Sequence, residues 1–296
     1  MLLPALVDLA GKWIITFLGR QPGISFISDF VNGTIDIERS GWHRLFLKKP
    51  APEGLPVSQT DLVVAFFNDE EGIIQDNLTA YLPDTPIHLF PSFPKEGKKM
   101  HMVYYLSNCL KQAGLPIDPK VVFENARKCP VIARKGTPLV RKKLVIHPGS
   151  GAIRKNYPPQ FWLKLLSRLD CDPDFKKTCL AVLLGPAEES LYCVFQKNLA
   201  HTNREIHLCA DNERLTDLLE QACLYLGHDS GITHFAAMLG VPTIALFKEH
   251  NESRWRPLGP SVRVVMKKKP GPSLVREVLE LARGLHRSTP CLPFVL

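Results

Sequence analysis

The chain has 296 residues, of which 45% are hydrophobic and 22% charged, and a formal charge of +8. That length suits two domains of ordinary size, and the composition is that of a soluble globular protein. No run of about 18 uncharged apolar residues is present, which excludes a membrane-spanning helix, and the apolar opening Met1 to Phe17 is interrupted by Asp8 and Lys12 with no basic stretch before it, unlike a signal peptide.

In chain order, Leu6, Leu9, Ala10 and Trp13 follow a helical period after Pro4, a residue suited to a first helical turn. Ile24 to Ile27 and Leu62 to Phe67 read as buried strands. Glu70 to Leu82 and Met100 to Ala113 read as helices, and Phe90 to Lys99, with two prolines and a glycine, as a loop. Ala133 to Lys143 reads as a domain linker, since it holds Gly136, Pro138 and five basic residues. The expected domains are therefore 1–135 and 136–296.

Beyond the linker the alternation is stricter. Strands are predicted at Lys143 to Ile146, Cys179 to Leu184, Glu205 to Leu208, Leu224 to Leu226, Pro242 to Phe247 and Val262 to Val265. Helices are predicted at Pro159 to Leu169, Glu188 to Ala200, Leu215 to Ala222, Ile232 to Leu239 and Leu274 to Leu285. Such alternation means an α/β fold with a parallel sheet covered on both faces.

Three strand-to-helix loops then fall at one carboxyl edge, where open α/β sheets bind ligands. The first runs from His147 through Gly149, Ser150 and Gly151 to Arg154 and Lys155. Its glycines let backbone approach a phosphate, and a nearby cation neutralises it; a plain loop with solvated basic residues has the same composition. The second is Gly227-His-Asp-Ser-Gly-Ile-Thr-His234. Asp229 or Ser230 can cap the helix that follows, and its start offers free N–H groups and a positive dipole end. The third is Leu183-Leu-Gly-Pro-Ala-Glu-Glu189, where an acid can meet a ribose hydroxyl or simply favour a helix start. A polar loop from Lys248 to Pro257, with Arg254, Trp255 and Arg256, follows a later strand and either lines a cleft or lies exposed.

Eight cysteines are scattered without a C-x-x-C pair, which argues against a zinc or dithiol motif and for a reducing, cytoplasmic setting. Cys179 and Cys223 sit in apolar runs as small core residues. The clusters Arg141 to Lys143 and Lys267 to Lys269 read as solvated strand edges, and no nucleic-acid recognition motif accompanies them. A dinucleotide fingerprint fails because Arg154 stands where its third glycine belongs. A serine hydrolase fails because Asp229, Ser230 and His234 are too close in sequence to form a relay and the nucleophile elbow is missing. The acidic run Asp170-Cys-Asp-Pro-Asp174 reads as a solvated turn rather than a metal site.

The pair HPGSGAIRKNYP and GHDSGITHFAAMLGVPTIALF, followed by WRPLG, resembles the heptosyltransferase-like glycosyltransferases of family 9, closely over Lys143 to Pro260 and loosely before it. The resemblance implies GT-B architecture: two Rossmann-like domains with parallel sheets facing across a cleft. It also implies inverting transfer of a sugar, a heptose in many members, from a nucleotide-diphosphate donor to a lipopolysaccharide core or related glycan, with no metal or other cofactor. By position, Ser150 and Gly151 would sit near the donor and Lys155 would meet a diphosphate oxygen. Glu188, or its neighbour Glu189, would face the ribose. Asp229 would order the donor site, and Ser230, Gly231, Thr233 and His234 would line the phosphates. Family members open with a strand and a Gly-Asp loop that carries the general base, ahead of a Leu-Pro-Ala-Leu helix. Here Leu3-Pro-Ala-Leu6 follows only Met1 and Leu2, and Asp8 lies within the helix, so no catalytic residue is identified and weak transfer is expected. A binding protein without transfer activity, or a sugar-nucleotide epimerase of the same plan, is the alternative. An anionic glycolipid acceptor and a peripheral place on the cytoplasmic face of the inner membrane complete the expectation, with no nucleic-acid partner.

Overall fold

The computed structural model describes residues 1–21, 23–39, 41–57, 59–95, 97, 99–132, 141–199, 204–209, 211–249 and 251–288. The chain divides into two units, Met1–Phe123 and Glu124–Leu296. The expected boundary at 135/136, and most of the expected linker, lie outside the described residues.

In the first unit Pro4 sits in the opening turn of α1 (Leu3–Leu9), where its missing N–H costs nothing. The helix does not continue to Trp13 as expected. Ala10 leaves helical backbone, and Gly11 turns the chain with φ +74°. Strands β1 (Thr16–Gly19) and β2 (Gly33–Asp36) pair in parallel. Between them, the expected strand Ile24 to Ile27 is instead a 3-10 turn, Gly23–Phe26. Ile24 and Ile27 stand three apart and are both buried, which a tight helical turn achieves and an alternating strand does not.

A second parallel pair follows: β3 (Val63–Phe66), helix α2 (Ile73–Tyr81) and β4 (Ile87–Phe90). The helix supplies the crossover that parallel strands require. Trp42, Leu45, Leu55, Ile74 and Leu78 form the core here. Asn77 is buried among them because its amide donates to the carbonyls of Leu45 (3.1 Å) and Leu47 (2.7 Å), which satisfies a polar group that burial would otherwise penalise. Helix α3 (Met102–Gln112) closes the expected pattern, and α4 (Pro119–Lys128) spans the unit boundary.

The second unit strictly alternates strands and helices: β5 (Lys143–His147), α5 (Pro159–Asp170), β6 (Cys179–Leu184), α6 (Tyr192–Leu199), β7 (Arg204–Leu208), α7 (Asn212–Glu220), β8 (Ala222–His228), α8 (Gly231–Met238), β9 (Thr243–Phe247), α9 (Glu252–Trp255), β10 (Val262–Met266) and α10 (Pro272–Ser288). The six strands form one parallel sheet in the order β10-β9-β8-β5-β6-β7. From β5 the chain winds outward through β6 to β7, then returns to the other side of β5 for β8. The loops after β5 and β8 therefore leave neighbouring strands for helices on opposite paths. That reversal is the topological switch point, and it opens a crevice at the carboxyl edge.

The core beneath this edge is built from near-continuous apolar strands and one face of α5. Phe161, Trp162, Leu165, Leu166 and Leu169 of that helix are all buried against the sheet, at the three-and-four spacing of an amphipathic helix. Cys223 joins the core as expected, whereas Cys179 is only half-buried. The acidic run after α5 is not a solvated turn. Asp172 is buried and meets Arg283 Nε at 2.7 Å, and Asp174 meets Arg287 at 2.7 Å. Both arginines belong to α10, so the run clasps the last helix to the α5 end of the sheet.

Candidate anion-binding site

The loop after β5 reaches Lys155 through two glycines. Gly151 has φ +64°, a left-handed value that glycine adopts without strain. Ser150 Oγ bonds within the loop, to the side-chain oxygen of Asn156 and to the Ala152 carbonyl. The far end of the loop is anchored from below: the Tyr157 N–H donates to Nε2 of His228, the last residue of β8, at 2.9 Å. That acceptor role requires a neutral imidazole. Burial, aided by the nearby His147, pushes the His228 pKa down to about 3, so it stays neutral.

The loop after β8 meets it at the switch point. Ser230 caps α8, its Oγ accepting from the Thr233 N–H at 3.3 Å. Asp229 is thereby free of capping, and its carboxylate instead takes Lys155 Nζ at 2.7 Å and faces His234 Nε2 at 3.7 Å. Burial alone would raise the Asp229 pKa; His234 and Lys155 together outweigh it and hold the carboxyl below its usual range. Burial also pushes the His234 imidazole below its usual value, although Asp229 opposes this. The N–H groups of Gly231 and Ile232, in the first turn of α8, remain for an outside acceptor at the positive end of the helix dipole.

A third wall comes from the loop after β9. Lys248 Nζ donates to the Asn156 carbonyl at 3.1 Å and lies 6.0 Å from the Tyr157 ring centre. With Lys155, Asp229, Glu249 and Asn251, it lines a small pocket beside the ion pair. Two ammonium groups and two carboxylates, Asp229 and Glu249, thus line one recess, and the start of α8 follows directly on Asp229. Lys155, Lys248 and the free amides at the start of α8 are the donors that suit an anion with several oxygens, such as a diphosphate.

The family model for glycosyltransferase family 9 (heptosyltransferase) matches residues 94–281. The chain belongs to that family. No curated protein matches it. Solved structures of similar fold include E. coli heptosyltransferase WaaC with ADP (TM-score 0.64, 14% identity, covering 96% of this chain and 94% of that one). E. coli ADP-heptose lps heptosyltransferase II gives a TM-score of 0.62 at 14% identity, covering 97% and 93%. A family 9 glycosyl transferase from Veillonella parvula gives 0.63 at 14%, also covering 97% and 93%. The fold is that of these GT-B glycosyltransferases.

Within this family 9 chain, the expected site residues separate into those that border the recess and those that support it. Lys155, Asp229, Ser230, Gly231 and His234 come together at the switch point. Thr233 does not present its side chain there. It is buried, with Oγ1 donating to the His228 carbonyl and lying 3.1 Å from the Tyr225 hydroxyl. Glu188 is buried and turned toward the β5 loop, whereas Glu189 is exposed. Motif reading passed over Lys248, which lines the recess, and Asn156 and His228, which support it. One available signal was a histidine ending each of two apolar strands, His147 and His228. In the first unit His101 caps α3 by accepting from the Val103 N–H.

Proposed function

We propose that this chain binds a nucleotide-diphosphate sugar, with the diphosphate in the recess between Lys155 and the start of α8. It then passes the sugar, a heptose, with inversion to a lipopolysaccharide core or related anionic glycan. The observation that carries this reading is the 2.7 Å ion pair between Lys155 and Asp229 at the switch point, beside two N–H groups at a helix start. Without ligand, Asp229 compensates the ammonium; a bound diphosphate supplies further negative charge to Lys155, Lys248 and the α8 amides. As the sugar leaves, charge grows on the diphosphate, and these preoriented donors stabilise it. The same groups make a metal ion unnecessary for donor binding. Membership of family 9, and similar folds described with ADP and with ADP-2-deoxy-2-fluoro heptose, support the donor class. The formal charge of +8 supports an anionic acceptor and contact with an anionic membrane face.

Calorimetric titration of the whole chain with ADP, GDP and UDP tests the donor. At least one should bind, and binding should persist in EDTA. Failure of all three sinks the donor reading, and loss of binding in EDTA sinks the metal-free part. Transfer of a labelled heptose to a lipid-linked core then tests the reaction.

A further inference from the structure

The two glycines of the β5 loop are glycine for different reasons. Gly151 has a left-handed backbone, and nothing lies within 4 Å of where its Cβ would be. Gly149 is the reverse: its φ lies outside the left-handed region, yet an added Cβ would fall 2.0–2.2 Å from Oε1, Cδ and Cγ of Glu188. Its missing side chain is the space that Glu188 fills.

Glu188 lies at the third position of a short helical turn, Pro186–Leu191, that leaves β6. One of its oxygens accepts from the Gly185 N–H at 3.0 Å, which closes its own turn. A capping acid needs no more than that. The other oxygen faces the Gly151 N–H of the neighbouring loop at 3.5 Å, and His147 Nε2 lies 3.6 Å from the first. The side chain is 6% exposed, and both oxygens already face protein N–H groups. Burial would raise its pKa, but His147 and the Gly185 and Gly151 amides outweigh burial and hold the carboxyl below its usual range. The acid is thus an ionised staple between the β6 and β5 loops.

We infer that Glu188 is a positioning residue for the diphosphate, holding the Gly149–Lys155 loop in place, rather than a ligand of the donor ribose. This rests on the donor reading above. Gly151 is four residues before Lys155, so the staple fixes the segment that delivers the ammonium to Asp229. A residue bonded to ribose would depend on the sugar hydroxyls. A residue that sets the loop would act on the diphosphate whatever the ribose carries.

Two measurements decide it. The first compares ADP with 2′,3′-dideoxy-ADP on wild type and Glu188→Gln. The amide keeps the side-chain volume, but its NH2 faces one of the two N–H groups, costing a charge-assisted bond. Both ligands should weaken by the same factor, about tenfold. If only ADP weakens, Glu188 is a ribose ligand and the inference falls; if neither weakens, it falls as well. The second is a melting cycle with Gly149→Ala, Glu188→Ala and the double variant, and it needs no ligand. Gly149→Ala should lower Tm by about 5 °C in wild type, the effect of overpacking, and much less in the Glu188→Ala background. Equal lowering in both backgrounds would overturn the contact. If wild type binds no nucleoside diphosphate, the donor reading fails by itself, and the melting cycle still decides the staple.

Discussion

Lys155 reaches Asp229 across 74 positions of sequence, and most of the site's chemistry passes through that pair. Lys155→Ala removes the partner of a buried carboxylate and a cation of the recess. Stability should fall by about 2 kcal/mol, at the low end for a buried pair because the lysine is partly exposed. ADP should bind about 30-fold more weakly, and calorimetry on the folded variant checks this. The pair also sets a pH dependence. Asp229 has a lower pKa folded than unfolded, so its contribution is fully present above the unfolded value of ~3.9. It is lost as pH falls through the folded value. Tm curves of wild type and Asp229→Asn should therefore lie apart at neutral pH and converge on acidification; a constant gap would contradict the assignment. Lys155, Asp229 and Ser230 were legible in the sequence because small, polar and charged residues clustered at strand ends. Depth was not legible. Spacing places Thr233 and Glu188 near the site, but only packing turns Thr233 under the helix and folds Glu188 against a glycine.

Between elements, the least expected feature is the clasp between α10 and the turn after α5. Asp172 is nearly fully buried, accepts from the Asp174 N–H at 3.0 Å and pairs with Arg283. Asp174 and Arg287 repeat the contact in a more exposed setting. The two pairs should differ in energy. Arg283→Ala leaves a buried carboxylate with one backbone donor and should cost about 2–3 kcal/mol. Arg287→Ala removes a largely solvated partner and should cost about 0.5 kcal/mol. Urea unfolding of the two variants checks the ranking, and equal losses would show that burial is not what separates them. The acidic run looked solvated because charge and proline mark turns, and its partners lie more than 100 residues away. The same distance limit explains the strands. In the second unit β5, β6, β8 and β9 were readable from their apolar runs, whereas β1, β2 and β4 have only four residues each, all exposed or half-buried. Their signal comes from the partner strand, which a local window does not contain.

At the scale of the whole molecule, the recess proposed for the donor is built within the second unit. The hydrogen bonds and ion pairs named for the recess, including Lys155 to Asp229, Tyr157 to His228 and Lys248 to Asn156, join residues of Glu124–Leu296. That unit has its own core, from Leu144 on β5 to Leu285 on α10. Its length is ordinary for an autonomous domain. Family resemblance over Lys143 to Pro260 was legible for the same reason: one sheet edge carries the motifs, and the strand order around β5 places them side by side. A fragment of residues 124–296 should thus unfold in one cooperative urea transition and bind ADP whenever the full chain does. Lys155→Ala should weaken the fragment and the full chain by the same factor. A fragment that folds but no longer binds would mean that part of the diphosphate site comes from Met1–Phe123, and the recess at the switch point would not suffice.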